Sequence, residues 1–265
     1  MKIIRSRANP LFRALARLRD SPRERRRAGT TLLDGPHLVA DYIARRGMPQ
    51  TLAVNAEALD SPEIRELLAR AHGAEPVIFA EGLFRELSPV TTPSGILAVV
   101  PIPAASPVPH DVACCVLLED IQDPGNVGSI LRSAAAAGVR HVLLSTGCAD
   151  AWSPRVLRAA MGAHHALVIA ERADLVGFAR AYHGQVVAAD AKGGQSIHDV
   201  DLTAPTAFAL GNEGAGLSEV LMQQAQIRAA VPMAGAIESI NVGAAAAVCL
   251  FERGRQLKAS RREGN

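Results

Sequence analysis

Short apolar runs alternate with segments of helical period twice along this chain, and a stretch rich in proline separates the two series. In the first series TTLLDG (30–35), TLAVN (51–55), PVIFA (76–80) and GILAVV (95–100) read as strands. PHLVADYIARRG, SPEIRELLARA and EGLFRELSP read as the helices between them. The next eleven residues, PIPAASPVPHD at 101–111, hold four prolines. A proline brings no N–H to a ladder, so this stretch reads as a linker. In the second series the strands are ACCVLLED, HVLLST, ALVIA, QVVAAD, TAFALG and IRAAVPM. They are apolar almost throughout, which is the pattern of a parallel sheet covered on both faces. The expectation is an α/β chain of two domains: a smaller one over 1–100, a linker over 101–111 and a larger one over 112–265.

Charge is distributed unevenly. Residues 1–27 hold ten Lys/Arg against two Asp/Glu, and residues 252–265 hold five against two. The whole chain is only +2, so the body between the ends is acidic. Residues 1–27 read as one helix with Leu11, Phe12, Leu15 and Leu18 on its apolar face and arginines around it. Such a basic segment either binds a polyanion or aids solubility. No apolar stretch reaches membrane-spanning length, and the opening MKIIRSRANPLFR lacks the apolar block of a signal peptide. The four cysteines show no metal-ligand spacing. They read as reduced core residues of a cytoplasmic protein.

In sheets of this kind ligands bind beyond the carboxyl ends of the strands, and three of those ends are polar and rich in glycine. The first, LLEDIQDPGNVGSILR, has Gly125-x-x-Gly128, which is a poor dinucleotide fingerprint. Asp123, Pro124 and Asn126 there suit a capped helix start. Capping leaves Arg132 unexplained, because a guanidinium among apolar neighbours needs an anionic partner. The second is GNEGAGLS, 211–218, where three glycines in six residues let backbone approach a ligand. Its Glu213 is a natural partner for Arg132. The third runs from VPM at 231–233 to ESINV at 238–242, where Ser239 or Asn241 suits the cap of the last helix. The GAAAAV run that follows signals close helix packing. His164 and His165 precede a strand, and because neighbouring histidines in a strand point to opposite faces they read as no chelating pair. Lys192 reads as a loop charge and Trp152 as a packing residue.

Taken together, Asn126-x-Gly128-x-x-x-Arg132, Gly211-Asn212-Glu213-Gly214-x-Gly216-Leu217-Ser218 and Val231-Pro232-Met233 with Glu238-Ser239-Ile240-Asn241-Val242 resemble the three signature motifs of the SpoU/TrmH-type RNA ribose 2′-O-methyltransferases of the SPOUT class. The resemblance covers about 112–258. The opening of the chain is similar, more loosely, to the substrate-binding domain of rRNA-directed members. The sequence departs from the family's habit at Ala160 and His165, and at LLDG over 32–35, where relatives often have Ser, Phe and LLEG.

The resemblance implies a C-terminal SPOUT catalytic domain with a mostly parallel sheet and a deep trefoil knot, beside a smaller N-terminal α/β RNA-binding domain. It implies S-adenosylmethionine as methyl donor, RNA as substrate (rRNA first, tRNA next) and a homodimer; no metal is required. Carried over by position, Gly211, Val231 and Ile240 would hold the cofactor. Asn126, Arg132, Glu213, Ser239 and Asn241 would form the reaction centre, with Glu213 orienting Arg132. The resemblance tips residues 1–27 towards RNA binding, through Arg5, Arg7, Arg23, Arg25, Arg26 and Arg27. Three other readings stay open: a base methyltransferase of the same class, a non-catalytic RNA-binding or ribosome-assembly protein on the same fold, and a nicotinamide-dependent enzyme, which the glycine spacing disfavours.

Overall fold

The computed structural model describes residues 3–71, 75–190, 193–235 and 238–263. The chain forms two compact units. One comprises 1–104 together with 152–162, the other 105–151 and 163–265. The return of 152–162 to the first unit is not visible in the sequence pattern.

In the first unit the elements run β1 (Ile3–Ile4), α1 (Pro10–Asp20), α2 (Pro22–Ala28), β2 (Thr30–Asp34), α3 (Pro36–Arg46), β3 (Thr51–Asn55), α4 (Pro62–Arg70), β4 (Val77–Phe79), α5 (Glu81–Leu87) and β5 (Ile96–Pro101). They build a five-stranded sheet of order β1-β4-β3-β5-β2. It is mixed: β5 runs antiparallel to both β2 and β3. The basic segment expected as one helix is a short strand and two helices. Pro22 forces the preceding Ser21 into extended backbone (φ −113°, ψ 111°), which ends α1. The Ser21 hydroxyl then accepts from Glu24 N at 3.2 Å and starts α2. Phe12, Leu15 and Leu18 of α1 are buried against Leu32, Phe79 and Phe84.

In the second unit the elements run β6 (Cys114–Leu118), α6 (Pro124–Ala136) and β7 (His141–Leu144). After α7 (Pro154–Ala160), which lies in the first unit, come β8 (Val168–Ala170), α8 (Leu175–Ala181), β9 (Gln185–Ala189), β10 (Gln195–Ser196), β11 (Thr206–Leu210), α9 (Glu219–Met222), β12 (Ile227–Ala230) and α10 (Val242–Glu263). The seven-stranded sheet has the order β10-β12-β9-β11-β6-β7-β8, and every pairing in it is parallel. β6 and β11 are buried along their whole length, as continuous apolar strands require. β12 lies between β9 and β10, two strands that precede it in sequence, and α10 then packs back on α6. The small residues of α10 serve that contact within the chain: a Cβ at Gly243 would collide with the Ser129 hydroxyl of α6.

His164 and His165 sit in a short 3-10 turn ahead of β8. His164 is buried, its Nε2 lies 2.7 Å from the Ala151 carbonyl, and burial pulls its pKa down to about 4. Trp152 and Leu157 pack into the core of the first unit. Among the described residues no helix is long and apolar enough to cross a membrane. Lys192 lies outside the described residues.

Candidate active site

The register of the two central strands fixes the site. Leu118 of β6 stands opposite Leu210 of β11, so the stretches 119–126 and 211–218 leave the sheet side by side. The first continues into α6, which Asp123 caps by accepting from Asn126 N at 2.8 Å. That frees the Asn126 side chain for another task. Its Nδ2 donates to Glu213 Oε1 at 2.7 Å, and its Oδ1 accepts from Asn241 Nδ2 at 2.8 Å. One amide thus joins residues 87 and 115 positions away in sequence. Asn241 Oδ1 also caps α10, accepting from Gly243 N at 2.9 Å. Three of the five residues expected at the reaction centre therefore form one hydrogen-bonded chain.

The loop 211–218 is held by residues that the sequence motifs did not single out for this role. Asn212 Nδ2 donates to the Asp120 carbonyl at 2.9 Å, and its Oδ1 accepts from Gly214 N and Ala215 N. Glu119 takes Ser218 with both carboxylate oxygens, accepting from the backbone N and from the hydroxyl, each at 2.7 Å. The loop folds back so closely that a Cβ at Gly211 would collide with the backbone of Gly216 and Leu217. The available signal was the pair Glu119-Asp120 at the end of an otherwise apolar strand.

Arg132 is not where the sequence placed it. It was expected among apolar neighbours with Glu213 as partner, but it is exposed and makes no hydrogen bond or ion pair with the described residues. The helix geometry explains this. α6 buries Val127, Ile130, Leu131 and Ala134, while Gly125, Ser129, Arg132 and Ala136 share the opposite stripe at spacings of four, three and four. Glu213 is already bonded to Asn126.

Beside the amide chain lies a cavity of about 880 Å³, whose lining includes Gly211, Val231 and Ile240 together with Glu213, Ser239 and Asn241. Ser239 is exposed and makes no hydrogen bond with the described residues. Residues 210–217, three of them glycine, form a continuous part of the wall. Asp190, Glu213, Glu219 and Glu238 are among the lining residues, and Arg228, the cation among the described lining residues, pairs with Asp190. Asp190 Oδ2 also accepts from Arg228 Nε at 3.1 Å.

On the first unit, Arg5, Arg23 and Arg26 are exposed. Arg7 is bound to Glu86, its Nε 2.9 Å from Oε2, and Arg27 is bound to Glu24 at 2.7 Å. Arg25 must be withdrawn from the nucleic-acid surface. It is 2% exposed, and its Nη1 donates to the carbonyls of Leu18 at 2.6 Å and Arg19 at 3.0 Å. It tucks under the end of α1, where the carbonyls lack helical partners.

Residues 113–251 match the model of the SpoU rRNA methylase family, just over half of the chain. The chain belongs to this family. Residues 9–98 match an MRM3-like substrate-binding domain. The chain is 31% identical to the 23S rRNA (uridine(2479)-2′-O)-methyltransferase of Streptomyces viridochromogenes, over 94% of this chain and 90% of that one. It is 28% identical to the 23S rRNA (guanosine(2553)-2′-O)-methyltransferase RlmP of Bacillus subtilis, over 95% and 98%. The crystal structure of the SpoU methyltransferase AviRb from S. viridochromogenes, in complex with AdoMet, superposes with a TM-score of 0.81 at 30% identity, over 94% of this chain and 98% of that one. The fold class read from the motifs therefore holds: a parallel-sheet SpoU catalytic domain with an N-terminal substrate-binding domain, and the SPOUT fold implies the trefoil knot. The insertion of β12 between β9 and β10 accords with a chain that returns through itself.

Proposed function

We propose that this protein transfers a methyl group from S-adenosylmethionine to the 2′-hydroxyl of a ribose in structured rRNA. The observation that carries the reading is the amide chain Asn241–Asn126–Glu213, which draws three separated SpoU motifs onto one point beside the cavity. The cavity fits the cofactor. Its volume suits a ligand of that size, and the glycines at 211, 214 and 216 leave those positions of its lining without side chains. Among the described lining residues four acidic side chains stand against one arginine, itself paired with Asp190, a balance that favours a ligand with sulfonium and ammonium groups. Gly211, Val231 and Ile240 would hold it, largely through backbone.

S-adenosylmethionine, when bound, supplies an electrophilic methyl group on a sulfonium. The protein must then align a ribose oxygen with that methyl and give its proton a way out. Asn126 fixes the direction of Glu213, and Asn241 fixes Asn126. Glu213 Oε2 carries no bond among the described residues and is open to take the hydroxyl proton. Arg132 offers N–H donors and no acceptor. Exposed on the same helix as Asn126, it serves the substrate, steadying the developing negative charge on the ribose oxygen or the neighbouring phosphate. Ser239, at the cavity wall, is left to bond substrate or cofactor.

The working unit in this reading is a homodimer in the cytoplasm. Arg132 has no anionic partner among the described residues of its own chain, and Phe251 of α10 is 53% exposed.

The test is transfer from labelled S-adenosylmethionine to rRNA that lacks the modification, followed by nucleoside analysis. A 2′-O-methylated nucleoside is expected. A base-methylated nucleoside would replace the proposed reaction with another of the same class. Cofactor binding without transfer to rRNA, free or in ribosomal particles, would leave an RNA-binding protein.

A further inference from the structure

We infer that the first unit carries a separate groove for the phosphates of the RNA backbone, built by Arg155 and Arg158 of α7 against the turn at 89–91. The inference takes its ligand from the reaction proposed above. The groove has a volume of about 490 Å³ and is lined by Pro89, Val90, Thr91, Arg155, Arg158 and Ala159. All six belong to the first unit, although α7 lies within the segment matched by the SpoU model.

Arg158 is fixed from below. Its Nη1 lies 2.7 Å from Asp34 Oδ2, and the Asp34 side chain is completely buried. Ser88 Oγ donates to the other Asp34 oxygen at 3.4 Å. Burial holds the Asp34 carboxyl above the usual carboxylate range, while the Arg158 charge works against that rise. A guanidinium has five N–H donors. Asp34 takes one of them, and the side chain remains 41% exposed. The buried carboxylate thus sets the rotamer of a cation whose outer donors face the groove.

A purely structural role explains Arg158 but not Arg155. Arg155 stands three residues earlier on the same helix face, is exposed, and has no hydrogen bond or ion pair among the described residues. Asp34 balances Arg158, and Asp20 feels the charge of Arg155 without bonding to it, so the donors of Arg155 stay free for an anion in the groove. Thr91 adds a hydroxyl, and Pro89, Val90 and Ala159 add apolar surface of the kind a ribose edge covers. The groove also continues the basic surface of the N-terminal helices. Asp20, at the junction of α1 and α2, is held below the usual carboxylate range first by its bond to Arg19, with the charges of Arg25 and Arg155 adding to it.

The experiment measures binding of a 23S rRNA transcript by the full-length protein across a potassium chloride series, for wild type, Arg155→Ala and Arg155→Lys. One phosphate contact contributes a salt slope of roughly 0.7–0.9. Arg155→Ala should reduce the slope by about that amount and weaken binding about 3- to 10-fold at moderate salt, with an unchanged Tm. Arg155→Lys should restore most of both. Equal slope and affinity for Arg155→Ala and wild type would overturn the groove, and methyl transfer to the same transcript by both would show that the reaction stands without it. A wild type that neither binds nor methylates the transcript would remove the reaction and the RNA assignment together. A Tm rise with inorganic phosphate alone, lost in Arg155→Ala while the RNA slope stays fixed, would assign the groove to free phosphate and overturn its RNA role.

Discussion

The helices of the first unit and the reaction cluster of the second hold their polar groups in different ways. The first unit uses charge: Arg19 with Asp20, Arg27 with Glu24, Arg45 with Asp41 and Arg70 with Glu66 are exposed or half-exposed ion pairs. The reaction cluster of the second unit uses amides, with Asn126 bonded to both Glu213 and Asn241, and Asn212 bonded to three backbone groups. Surface ion pairs are worth little individually and are screened by salt. Amide networks are directional, and a misplaced member spoils alignment. The first arrangement suits graded attraction to a polyanion, and the second suits a reaction that needs a fixed geometry. Substitutions should therefore switch the second unit off and only tune the first.

The sharpest break is expected at Arg132. Arg132→Ala should lower methyl transfer about 10³-fold. Cofactor affinity and Tm should stay near wild type, because the side chain makes no bond within the described residues. A matching loss of cofactor binding would move Arg132 into the cofactor site. Asn126→Ala removes both links of the amide chain and should lower kcat about 10²-fold. If KM for RNA rises instead and kcat holds, Asn126 binds substrate rather than aligning the centre. Gly211→Ala forces the loop away from its own backbone and should weaken cofactor binding about 10-fold in calorimetry. Unchanged binding would show that the loop has room that its packing denies.

Two smaller effects test the contrast from the other side. Asp34–Arg158 is an ion pair of the first unit with a fully buried partner. Arg158→Ala strands that carboxylate and should cost about 2 kcal/mol in thermal unfolding, less than a fully buried pair because Arg158 is half-exposed. Asp34→Asn in the same chain should recover part of the loss. An effect as small as that of Arg70→Ala would make this pair like the surface ones. His164 gives the least. Its folded pKa, about 4, lies below the unfolded value of 6.5, so the unfolded chain takes up the proton first as pH falls. Its contribution is full above pH 7 and declines between 6.5 and 4, by about 1 kcal/mol at pH 5.5. Tm measured against pH should fall less steeply in His164→Gln.

By itself the sequence determined where most strands and helices lie and which strand ends carry chemistry. Apolar runs, Pro-led helix starts and glycine turns act over a few residues, and TTLLD, CCVLL and TAFAL became the strands their composition demanded. Family motifs named Asn126, Glu213 and Asn241, and these residues do meet. The tertiary structure alone decided who bonds to whom. Glu213 reaches Asn126 rather than Arg132, and Glu119 pins Ser218, because pairing of Leu118 with Leu210 brings together loops about ninety residues apart. Arg25 is buried and Arg23 exposed, though both stand in one run of arginines, because Ser21 and Pro22 turn α2 so that Arg25 alone meets the last carbonyls of α1. Local pattern sets the elements. The register and packing of distant elements set the partners, and no short-range signal encodes them.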